Sequence, residues 1–179
     1  MSGQERPTKG AENTEKLLVF NDAHKALVDL GELHDPDAFW HSAEDALPAR
    51  CVWDSFLTNI VARAQPSRLS GSVEVPYDDL SRKTTVREIL ETPGVGAHDP
   101  SRLSAIIEAM IEKQPDGEPL ENGLLTDGRG NLFPCRGVLV LISWYNVDSR
   151  WHAIAWDPDV EVSDGRRVFS GNLKFKLRT

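Results

Sequence analysis

Asp99-Pro100-Ser101-Arg102-Leu103-Ser104-Ala105-Ile106-Ile107-Glu108-Ala109-Met110-Ile111-Glu112-Lys113-Gln114-Pro115-Asp116-Gly117 is where the chain changes grammar. Asp is a good helix N-cap, and proline suits the first helical position, where its missing N–H is not needed. Leu103, Ile106, Ile107, Met110 and Ile111 then recur at three-to-four spacing, which predicts a helix from about 100 to 113. Gln114-Pro115-Asp116-Gly117 stops it, and strand patterns follow. Leu124-Leu125 and Leu132-Phe133 flank the turn Asp127-Gly128-Arg129-Gly130, and Val138 to Trp144 is the continuous apolar run of a buried strand. Trp151 to Trp156 and Arg167 to Phe169 read as further strands, with Ser163-Asp164-Gly165-Arg166 as a turn.

Upstream, helices are expected. Leu17 to Phe20 reads as a short strand, after which Asn21 or Asp22 caps a helix through Ala26, Leu27 and Leu30 that stops near Gly31. A second short helix carries Phe39, Trp40 and Ala43. Val52, Phe56 and Ile60, flanked by Trp53, Leu57 and Val61, give a wide apolar face up to Pro66 and mark a central helix. A further helix with Val86, Ile89 and Leu90 ends before Pro93-Gly94. Helices first and antiparallel strands after is the α+β pattern. Residues 1–15 are polar and read as a flexible tail; residues 16–179 read as a single domain, helical over about 16–115 and β over about 120–179.

Composition narrows the function classes. The formal net charge of -8 argues against a nucleic-acid partner, which needs a dense basic surface. No run reaches the length of a membrane span, and the start lacks the apolar core of a signal peptide. The expected location is therefore the cytoplasm, or a host cell reached by a non-classical route. Two cysteines without CxxC spacing form neither a disulfide framework nor a structural zinc site, so both are expected as thiols. His24, His34, His41 and His98 lack metal-ligand spacing and read as surface residues or caps. The acidic run Asp157, Asp159, Glu161 and Asp164 lacks the pattern of a calcium loop and reads as a solvated turn. Neither metal nor organic cofactor is expected.

The candidate chemistry lies in Cys51 and His152. Arg50-Cys51-Val52-Trp53-Asp54-Ser55 reads as the first turn of the central helix, where unpaired N–H groups and the helix dipole favour a thiolate. His152, in Trp151-His152-Ala153-Ile154-Ala155-Trp156, shares a strand face with Ile154 and Trp156. A polar ring on an apolar face needs a partner, and a thiolate would satisfy it while giving a nucleophile and its base. Cys135, after a proline at a strand entrance, has no comparable setting. The bland alternative is that Cys51 and His152 are core residues of a binding, effector or inhibitor protein on an α+β scaffold with no active thiol.

A cysteine opening a central helix with Trp53 close behind, a helical lobe, and a strand reading Trp151-His152-Ala153-Ile154-Ala155 together resemble the papain-like cysteine peptidases, in particular compact viral leader proteases and bacterial effector proteases. The resemblance covers about residues 47–172. It implies a papain-like fold and a thiol hydrolase acting on a protein or peptide. In that family a polar residue ending the strand after the histidine strand orients the imidazole, which implies Asn172, with Ser170 and Asp157 as alternatives. Trp53 and Trp151 would wall the substrate groove. The sequence departs from the family in offering no amide side chain in Asp45-Ala46-Leu47-Pro48-Ala49-Arg50 to complete an oxyanion hole.

Overall fold

The computed structural model describes residues 16–20, 23–31, 33–42 and 50–176. The expected tail, the capping residues Asn21 and Asp22, Ala43 and most of the segment before Cys51 lie outside them. The first half of the chain contributes β1 (Lys25–Leu30), α1 (Pro36–His41), β2 (Arg50–Val52), α2 (Asp54–Asn59), β3 (Gly71–Asp79) and β4 (Thr84–Thr85). Helices α3 (Val86–Glu91) and α4 (Pro100–Glu112) follow. The second half gives β5 (Asn131–Cys135), β6 (Val138–Tyr145), β7 (Arg150–Trp156), β8 (Glu161–Val162), β9 (Arg167–Phe169) and β10 (Lys174–Lys176). The α+β class holds.

Among the described residues the large sheet runs β1-β3-β9-β5-β6-β7-β2, with β10 also pairing β3, and β4 pairs β8 separately. Toward its β2 edge lies the pair read from the sequence, β6 and β7. β6 is apolar but for Ser143, and β7 alternates buried Trp151, Ala153 and Ala155 with half-buried His152, Ile154 and Trp156. The sheet is mixed rather than antiparallel, because β2 pairs β7 and β5 pairs β9 in parallel.

Each face has its own core. Val140, Ile142, Trp151, Ala153, Phe133 and Phe169 join the apolar stripe of α4 on one face. Leu132, Leu139, Leu141, Ile154 and Val168 join Val86 and Ile89 of α3 on the other. α4 starts as expected, with the Asp99 carboxylate accepting from the Ser101 and Arg102 N–H groups and Pro100 in the first turn. Among the described residues no helix is long and apolar enough to cross a membrane.

The helical lobe expected over about 16–115 is not formed, since β1 and β3 lie in that stretch and belong to the main sheet. The segment read as a helix through Ala26, Leu27 and Leu30 is β1, with Ala26, Val28 and Leu30 buried and Leu27 half exposed. Leu17 to Phe20 form no strand, and Leu124-Leu125 lie in a loop. The central helix shrinks to the six residues of α2, after which Val61–Arg63 make a single 3-10 turn. Trp53, extended at φ -86 and ψ 150, is its N-cap, so Cys51 precedes the helix and belongs to β2.

Candidate functional site

Cys51 and His152 are direct partners in the parallel register of β2 and β7. Neighbouring strands lie about 4.8 Å apart, and directly paired residues present their side chains to the same face. The two are therefore neighbours for a different reason than a helix end facing a strand. Both are half-buried, and no hydrogen bond joins the thiol to the ring, so the pair stands at cross-strand separation.

The β6–β7 hairpin fixes the ring. Asp148 lies in its turn, and its Oδ2 is 3.0 Å from His152 Nε2. A neutral imidazole donating from Nε2 keeps the Nδ1 lone pair as a proton acceptor. Tyr145, at the end of β6, packs its ring 5.1 Å from the imidazole, centroid to centroid. Next on the same face comes Ser143, the β6 partner of His152. Trp53, just beyond β2 and half exposed, flanks Cys51 on the other side. The result is a shelf at the end of the sheet face that α3 covers farther along, with Tyr145 and Trp53 as exposed aromatic borders.

The remaining expected site residues are elsewhere. Asn172 and Ser170 follow β9, which β5 and β6 separate from β7. Asn172 Nδ2 donates to the Gly94 carbonyl at 2.8 Å, and the buried Ser170 hydroxyl donates to the Val95 carbonyl at 2.5 Å. Both tie down the loop before α4 and cannot orient the imidazole. Asp157 lies past the far end of β7, five residues from His152 and exposed. The polar group that contacts the imidazole is the Asp148 carboxylate, not Asn172. Trp151 is not a groove wall: it is 1% exposed on the opposite face, edge-on to Trp144, and its indole N–H donates to the Gln114 carbonyl at 2.9 Å.

Cys135 is a thiol sealed in the core, and burial pushes its pKa up to about 11. In the acidic turn, Asp159 pairs with Arg87 and Glu161 with Lys83, each at 2.7 Å.

His34 and His98 are buried, against expectation. His34 Nδ1 touches Glu108 Oε2, and its Nε2 lies 2.8 Å from Ser104 Oγ. That chain has the connectivity of a serine triad. Ser104, however, is wholly buried within α4 and accepts the Trp40 indole N–H at 2.7 Å, so a substrate atom has no path to its oxygen. The sequence could have flagged Asp148, which stands four residues before His152 in the Asn146-Val147-Asp148-Ser149 turn. Tyr145 and Ser143 become visible only once the hairpin register is known. Comparison with protein-family models, curated proteins and solved structures finds no match for this chain.

Proposed function

We propose that the protein is a thiol hydrolase, peptidase-like in its chemistry, with Cys51 as nucleophile, His152 as general base and then acid, and Asp148 as the carboxylate that holds the imidazole. The observation that carries this reading is the in-register pairing of Cys51 with His152 on one sheet face while Asp148 engages Nε2 and leaves Nδ1 of the ring to act as base. Nδ1 then takes the thiol proton, the sulfur attacks the carbonyl, and the imidazolium returns that proton to the leaving amine. Water deacylates the thioester by the same route in reverse. The resemblance to papain-like peptidases supports this reading through the chemistry of these roles and not through the frame that carries them.

A second reading is a non-catalytic binding protein. It is favoured by the position of Cys51 inside the β2–β7 ladder, where no helix N-terminus acts on the sulfur. Iodoacetamide labelling across pH, resolved by residue, separates the two. The hydrolase reading expects Cys51 to label in the neutral range, far ahead of the sealed Cys135, and to slow sharply in His152→Ala. Equal labelling of Cys51 in wild type and His152→Ala, with no turnover of a denatured-protein substrate, would establish the binding reading.

A further inference from the structure

The two Gly-Arg turns singled out in the sequence, Asp127-Gly128-Arg129-Gly130 and Ser163-Asp164-Gly165-Arg166, pack against each other at the far end of the row that holds Cys51. The row follows from register. Cys51 pairs with His152, His152 with Ser143, and one residue beyond the β5–β6 ladder Gly130 faces Ser143. A Cβ built on Gly130 would stand 3.5 Å from Ser143 Cβ, which places the open side of Gly130 on this face. The space is shared by Leu141, whose Cδ1 lies 2.6 Å from that point, and Arg166, whose Nη1 lies 3.0 Å from it, and at φ +86 glycine is the residue the backbone accepts there.

Arg166 lacks the partner its neighbours have. Arg129 pairs with Asp127 and Arg167 with Asp79, whereas Arg166 has no carboxylate partner among the described residues. Its Nε is sealed without an acceptor, and its Cζ sits 5.3 Å from the Trp156 ring centroid. A half-buried guanidinium braced on an indole, with one N–H sealed and no carboxylate beside it, has its remaining N–H groups left for an acceptor from outside the chain.

We propose that Arg166, braced by Trp156 above Gly130, is the subsite that takes a carboxylate side chain of the peptide ligand. This deepens the hydrolase reading and rests on it for the identity of the ligand as a peptide. Gly130 lies three strand spacings from Cys51, about 14 Å, which an extended peptide crossing the strands covers in about four residues. The specificity that follows is for Glu or Asp some three to four residues from the scissile bond.

The probes are two blocked alanine tetrapeptides, one carrying a single Glu and the other Gln at the same position. They are titrated into the full chain while the Arg166 Nε–H signal is followed by NMR and affinity by calorimetry. The Glu peptide is expected to shift that signal saturably, the Gln peptide to leave it in place, and Arg166→Gln to weaken Glu-peptide binding about tenfold or more. Equal binding of the two peptides, or a wild-type Arg166 signal that does not move, would overturn the subsite without relying on the folding of any variant. Repeating the titration in Cys51→Ser keeps the two readings apart. Glu-selective binding without hydrolysis by the wild type removes the hydrolase and leaves the subsite; hydrolysis indifferent to Glu against Gln removes the subsite and leaves the hydrolase.

Discussion

Nε2 of His152 lies 3.0 Å from Oδ2 of Asp148, so a ring near the start of β7 is held by the turn that leads into that strand. The two residues are four apart in sequence, so the contact is local to the β6–β7 hairpin. A carboxylate there selects the tautomer that leaves Nδ1 bare, which is the form the proposed hydrolase needs in its base.

Asp148→Asn should therefore lower hydrolysis, and Cys51 alkylation with it, at least about tenfold. Asn172→Ala should leave both rates as they are while costing about 1 kcal/mol, because its amide anchors the Gly94 loop instead. Rate assays and urea melts on the two variants give the ranking. A rate loss confined to Asn172→Ala would show that the imidazole is oriented from β9 after all.

The two histidine–hydroxyl settings should separate cleanly in stability. Ser104→Ala removes the acceptor of the Trp40 indole N–H and the partner of His34 Nε2, all of it buried, and should cost about 1 to 3 kcal/mol. Cys51→Ala and His152→Ala act on half-buried groups at the sheet end and should cost under about 1 kcal/mol each while abolishing turnover. Denaturant melts of the three variants test this. Large losses at Cys51 and His152 would mark them as packing residues and remove the catalytic assignment.

What the sequence made legible was local. α4 announced itself through Asp99, Pro100 and a stripe that no strand would bury, and β6 and β7 through a continuous apolar run and an alternating one. β1 is ambiguous in sequence because Lys25-Ala26-Leu27-Val28-Asp29-Leu30 is too short to separate the two periods: Ala26 and Leu30 fit a helix, while Ala26, Val28 and Leu30 fit a strand equally well. β3 was hidden by Pro76, which argues against a strand interior although Val73, Val75 and Tyr77 alternate into the core. The helical pattern extends over Cys51 because Val52 continues the spacing of Phe56 and Ile60, and the Trp53 cap that ends the strand has no side-chain signature. Cys51 and His152 were recognisable as a pair by residue type alone. Their meeting depends on a parallel pairing across about a hundred residues, which local pattern cannot specify.

The buried His98 gives the fold a pH dependence whose direction can be worked out. Its Nε2–H donates to the Phe169 carbonyl at 3.0 Å, the ring packs edge-on to Phe133, and Nδ1 is sealed without a partner. Burial lowers its pKa from 6.5 to about 4, so the folded chain keeps the ring neutral over a range in which the unfolded chain protonates it. The contribution to stability is full above the unfolded value, falls as pH drops from about 6.5 toward 4, and is lost below the folded value, an effect of up to about 3 kcal/mol. His98→Gln retains an N–H donor and does not titrate in this range. Urea melts of both proteins at about pH 7.5 and 4.5 should show the wild type losing its advantage on acidification by about 2 to 3 kcal/mol. Carboxylate effects common to the two chains cancel in that comparison. Stabilities that fall in parallel would mean that the His98 ring takes up its proton in the folded state as readily as in the unfolded one.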